Sequence, residues 1–140
     1  MSVPDSGSLT LKQGVCPEIN GAFTGAVSAS MLKSIGVQWA LAGHSERRVL
    51  FGETDEYING QVLKLLELGM GCMLCIGESE AEYEKDLADA VCAVQLKKGL
   101  SGVSKEDMSR IAIAYEPGKY ELAKFYGLYS KTAVVMKSNQ

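Results

Sequence analysis

Long apolar runs, basic charge and histidine are all scarce in this 140-residue chain. No run approaches the roughly 20 apolar residues of a membrane-spanning helix, which argues against a membrane partner. With 14 Lys+Arg against 17 Asp+Glu and a formal charge of -3, there is no basic footprint for nucleic acid. Residues 1–8 are polar and lack the basic-then-apolar pattern of a secretory leader, so the expected location is the cytoplasm. What remains is the composition of one soluble globular domain over residues 1–140: 46% hydrophobic, 22% charged, with 15 glycines for tight turns.

Cysteine is also sparse. Four residues, Cys16, Cys72, Cys75 and Cys92, do not make a disulfide scaffold in a chain of this size. Cys72 and Cys75 form a C-x-x-C pair, but it lies inside an apolar run that reads as a strand. Alternating side chains then point the two thiols to opposite faces. With a single histidine in the chain, no second ligand pair completes a zinc site. Buried, reduced thiols are the expectation.

Three apolar runs, residues 37–42, 70–76 and 111–115, read as strands covered on both faces, the pattern of a parallel sheet. Residues 9–13 suggest a shorter strand before them. Between the strands lie helices with recognisable starts. Ser28 caps one that uses Met31, Leu32 and Ile35, and Thr54 caps another whose face is Ile58, Val62, Leu65 and Leu66. Ser79 and Glu82 form a capping box for a helix running to Gly99, with Tyr83, Leu87, Ala90, Val91 and Val94 as its apolar face. A helix over 119–129 and a short strand over 132–136 complete the expected elements. The body reads β-α-β-α-β-α-β with parallel strands, an α/β fold.

In such a sheet chemistry gathers at the carboxyl ends of the strands. His44, Glu78 and Glu116 each follow a strand and share that rim. Pro117 holds Glu116 extended. A carboxylate opposite an imidazole suits proton abstraction beside a carbonyl, the carboxylate taking the proton and the imidazole polarising the oxygen. Helix amides beyond His44 favour its neutral form. Taken singly, these residues have plainer readings: His44 caps a turn, Glu116 caps the next helix, and Glu78 is a loop acid. Glu46, Arg47 and Arg48 read equally well as a local ion-pair network.

The motifs Ala42-Gly43-His44-Ser45-Glu46-Arg47-Arg48 and Ile113-Ala114-Tyr115-Glu116-Pro117 resemble the two catalytic signatures of the triosephosphate isomerase family. Gly21-Ala22-Phe23-Thr24-Gly25, Phe51-Gly52-Glu53-Thr54 and Leu74-Cys75-Ile76-Gly77-Glu78 match the same family in the same order, from about residue 13 to 117. The resemblance implies a TIM (β/α)8 barrel, here a partial one of about four parallel βα units, with residues 118–140 as a divergent tail. It implies interconversion of dihydroxyacetone phosphate and glyceraldehyde 3-phosphate through an enediol(ate), a step of glycolysis and gluconeogenesis. Glu116 would shuttle the proton and His44 polarise the carbonyl, without metal or cofactor. Ser45 and Glu46 would be secondary polar contacts. The implied homodimer puts Thr24 beside the partner's site and Arg47 at the interface.

The sequence departs from that pattern in places that matter. The family's first-strand asparagine-lysine pair has no counterpart, Gly118-Lys119-Tyr120 stands where the lid begins, and Ala26 replaces the glutamate that pairs with the partner's arginine. The expectation for the isolated chain is therefore little or no isomerase turnover. The alternative is a non-catalytic half-barrel that acts through self-association or by pairing with a full-length subunit. An unrelated open α/β sheet with an accidental His-Glu pair is the third reading.

Overall fold

A computed structural model describes residues 11–17, 25–118 and 134–137. Thr24 and the helix expected over 119–129 lie outside the described residues. Four strands, β1 (Leu11–Gln13), β2 (Trp39–Ala42), β3 (Gly71–Ile76) and β4 (Ile111–Tyr115), pair in parallel in chain order. A fifth strand, β5 (Val134–Lys137), extends the sheet. It runs antiparallel to β4, pairing Tyr115 with Val134 and Ala112 with Lys137. A barrel of this family continues in parallel, so β5 departs from it where the sequence resemblance also ends.

Among the described residues, five α-helices lie between the strands in the chain, and those that bury apolar side chains do so in one core. They are α1 (Ala29–Ser34), α2 (Ser45–Leu50), α3 (Asp55–Glu67), α4 (Glu80–Glu84) and α5 (Ala88–Gly99). The caps fall where the residue types place them: Ser28 Oγ accepts from the Met31 amide, Thr54 Oγ1 from Tyr57, and Ser79 with Glu82 closes its box in both directions. Ala40, Cys72 and Ile111 share one register row, as do Ala42, Leu74 and Ile113. These rows join Ile58, Val62, Leu65 and Leu66 of α3 in one apolar core. Rows facing the other way hold Trp39, Leu41 and Met73, which remain half-buried.

The helix expected from Ser79 to Gly99 is two helices. Asp86 takes a left-handed φ of 57°. The Leu87 amide donates to the Glu82 carbonyl and the Asp86 amide to Tyr83, a Schellman stop with aspartate in the place glycine usually fills. The break resets the phase of the face. Tyr83, Leu87 and Val94 are exposed, while Cys92, Leu96 and Gly99, spaced i, i+4, i+7, turn inward.

All four cysteines are free, with Cys16, Cys72 and Cys75 buried and Cys92 half-buried. Cys72 sits in the helix-side core and Cys75 on the opposite face, as strand alternation requires. Burial pushes the Cys72 thiol well up, and burial together with nearby Glu116 pushes Cys75 from 9.0 to about 12. In the native protein a thiol reagent at neutral pH should therefore modify Cys92 first, and all four only in denaturant; rapid native labelling of Cys72 would contradict the packing. The unfolded chain releases these protons first as the pH passes about 9, so the stability present below that point falls as the pH climbs toward 12. Urea midpoints under reducing conditions should be lower at pH 10 than at pH 7.

Candidate active site

The carboxyl end of β2 turns through Gly43, whose φ is +80°. A Cβ there would lie 2.9 Å from the Cys75 carbonyl oxygen, so both the turn and the close strand-end packing require glycine. His44 follows as the N-cap of α2, its Nδ1 accepting from the Glu46 amide at 3.2 Å. A nitrogen that accepts carries no proton, so the geometry assigns the neutral tautomer with hydrogen on Nε2. That nitrogen lies 3.1 Å from Glu116 Oε1, and the other carboxylate oxygen accepts from the Ser45 amide at 3.0 Å. The two side chains are 15% and 8% exposed, low enough that water competes weakly for their contact.

Glu116 is held from behind. Its amide donates to the Ile76 carbonyl at 2.8 Å, and Gly77 packs so tightly on its carbonyl that a Cβ would overlap that oxygen. Gln95, on the inner side of α5, clips Gly77 with two bonds: its Oε1 accepts from the Gly77 amide and its Nε2 donates to the Gly77 carbonyl. Glu78, 4% exposed, accepts from the Tyr115 hydroxyl and from the Gly118 amide, bracketing Glu116 and Pro117. Burial and that bond to Glu78 push the Tyr115 hydroxyl up to about 12, so it stays a donor.

Of the residues singled out from sequence, His44, Ser45, Glu46 and Glu116 come together; Ser45 and Glu46 contribute backbone amides to the other two. The helix expected next after Glu116 lies outside the described residues; the helix that Glu116 does bond is the earlier α2, through the Ser45 amide. Arg47 points elsewhere. Its Nε donates to Glu53 Oε1 at 2.7 Å and its guanidinium lies 4.5 Å from the Phe51 ring centroid, the local ion-pair reading. Arg48 pairs with Asp55 and also reaches two strand-end carbonyls. Sequence reasoning missed Gln95 and the Arg48–Cys75 bond because partners 18 and 27 residues away leave no local pattern. Glu78 was placed on the rim from sequence and read as a loop acid; its bonds to Tyr115 and Gly118 are what the structure adds. Among the described residues, no cluster of three or more His, Cys, Asp or Glu is arranged to hold a metal ion. No described helix is long and apolar enough to cross a membrane.

The family description "Triosephosphate isomerase" matches residues 3–119 of the chain. A triosephosphate isomerase of Fusobacterium nucleatum is 50% identical over 105 residues, covering 75% of this chain and 42% of its own length. One from Carboxydothermus hydrogenoformans is 47% identical over 100 residues, covering 71% and 40%. One from Chlorobium luteolum is 45% identical over 112 residues, covering 80% and 44%. The chain thus spans about two fifths of the length of the curated relatives it matches.

Proposed function

Because this chain belongs to the triosephosphate isomerase family, we propose that its His44–Glu116 pair moves a proton between adjacent carbons of a phosphorylated triose. The observation that carries this reading is the imidazole itself, with Nδ1 occupied by the Glu46 amide and Nε2–H aimed at the Glu116 carboxylate. The substrate carbonyl replaces Glu116 at Nε2. Glu116 then takes the proton from the carbon beside that carbonyl; the C–H electron pair becomes the C=C bond of the enediol(ate), and the carbonyl electrons move to the oxygen hydrogen-bonded to His44. His44 gives its Nε2 proton to that oxygen and takes the proton of the neighbouring hydroxyl, whose oxygen becomes the new carbonyl; Glu116 returns its proton to the carbon of the old carbonyl, which completes the isomerisation between dihydroxyacetone phosphate and glyceraldehyde 3-phosphate. This chemistry belongs to the cytoplasm, and Thr24 and Arg47 would serve a homodimer contact.

The test is solvent deuterium exchange. The 140-residue chain, incubated with dihydroxyacetone phosphate in heavy water, should label the substrate above the buffer rate, with kcat/KM far below the diffusional ceiling of about 10⁸–10⁹ per molar per second. The reason is that the first-strand asparagine-lysine pair and the lid of the family pattern have no counterpart in this sequence, and these supply orientation. His44→Gln should lose the labelling. Exchange at the buffer rate by the unmodified chain would sink the reading. A second reading, a half-barrel that works by self-association, draws on the half-buried sheet face of Trp39, Leu41 and Met73. A discrete dimer on size-exclusion, with no exchange, would favour it.

A further inference from the structure

We propose that Arg48 is the positioning residue of the His44–Glu116 pair, holding the imidazole in its one tautomer through the strand ends on either side; this rests on the reading of that pair above. The Arg48 guanidinium uses three nitrogens on three acceptors. Nε donates to the Gly43 carbonyl at 2.8 Å, Nη2 to the Cys75 carbonyl at 3.1 Å, and Nη1 pairs with Asp55 Oδ1 at 2.6 Å. The Arg48 backbone amide adds a bond to the His44 carbonyl at 3.1 Å. Two successive carbonyls, those of Gly43 and His44, are therefore held by one residue.

The placement of those acceptors gives the clamp its reach. Gly43 is the turn that aims His44. Cys75 lies on β3, between the two strands that carry the pair, and the next residue, Ile76, accepts from the Glu116 amide. Tying the end of β2 to the end of β3 thus sets the distance between imidazole and carboxylate. Asp55, in the first turn of α3, anchors the fork from outside the sheet. A planar guanidinium can serve three fixed acceptors at once, whereas an ammonium is a point donor on a flexible stem. Side-chain exposures of 16% for Arg48 and 18% for Asp55 keep the arrangement from being a loose surface pair.

The only histidine in the chain makes the test direct. With histidine labelled by nitrogen-15 and no substrate present, the unmodified protein should show two widely separated ring-nitrogen signals, from an unprotonated Nδ1 and a protonated Nε2. Arg48→Lys keeps the charge but cannot span the two carbonyls, so its two signals should draw together toward the average of both tautomers while far-ultraviolet circular dichroism stays native. Asp55→Asn removes the ion pair but leaves both carbonyl bonds, so its signals should remain apart. A folded Arg48→Lys protein with the unmodified signature overturns the proposal. If that variant does not fold, Asp55→Asn decides: averaged signals there show that the ion pair, and not the carbonyl clamp, holds the ring. The signature is read without turnover, so failure of the deuterium exchange would remove the isomerase reading and leave the clamp standing.

Discussion

Glu116→Gln should slow deuterium exchange into dihydroxyacetone phosphate by about 10²–10⁴-fold, the usual contribution of a positioned general base. The substitution is nearly isosteric. Its amide oxygen still accepts from the Ser45 amide, which now bonds Glu116 Oε2, so the local fold has little reason to change. What is lost is the proton acceptor. With the oxygen on the Ser45 amide, the amide nitrogen faces His44 and sets a donor against the Nε2 hydrogen that now meets Oε1; rotating the amide only moves that conflict to the Ser45 amide, so the variant gives up one hydrogen bond, about 1 kcal/mol. The urea midpoint should therefore fall only slightly, while exchange falls by orders of magnitude. Exchange retained within about tenfold would show that another group takes the proton, since a loss that small lies below the range a general base supplies.

Gly77→Ala should be strongly destabilising for a single methyl, costing about 3 kcal/mol. Elsewhere a new Cβ often meets a side chain that can yield. At Gly77 it meets the Glu116 carbonyl oxygen, which is backbone, and neither side is free to move away. Gln95 holds Gly77 by its amide and its carbonyl, and the Glu116 amide is bonded to the Ile76 carbonyl. Relief requires the ends of β3 and β4 to part, which exposes the pair as well. A loss of this size is a large share of the 5–15 kcal/mol that typically holds a domain together. The urea midpoint should drop clearly, and His44 should lose its single-tautomer nitrogen signature in the same variant. An unchanged midpoint would falsify the account of Glu116 as held from behind by Gly77.

Much of the fold was legible because it is written locally. Residues 37–42, 70–76 and 111–115 have no use except inside a covered parallel sheet, and they pair in parallel there. Ser28, Thr54 and Ser79 cap helices because a short side-chain oxygen at that spacing satisfies an orphan amide wherever it occurs. The Asp86 stop escaped notice because its signal is glycine and the residue is aspartate. Once the helix broke there, the face assigned to Tyr83, Leu87 and Val94 turned outward. The antiparallel direction of β5 was not legible either, since apolar alternation carries no direction.

The candidate site divides the same way. His44 and Glu116 were identified from sequence because each follows a buried strand and sits in a motif, and motif and strand end are both short-range properties. Their distance and relative orientation are tertiary facts. They depend on Arg48 reaching across 27 residues to Cys75, on Gln95 reaching back to Gly77, and on Glu78 meeting Tyr115 across 37. Arg48 shows the division within one side chain. Its charge and its neighbour Arg47 suggest an ion pair from sequence alone, and it makes one with Asp55. The two carbonyl bonds that give it a role at the site exist because parallel strands end side by side. Sequence by itself determined which strand ends carry an imidazole and a carboxylate and which segments are strands and helices, since those follow from side-chain chemistry and local periodicity. Tertiary structure alone decided that the imidazole and the carboxylate meet at 3.1 Å, because backbone carbonyls brought together by the sheet, common to every residue type, set that distance.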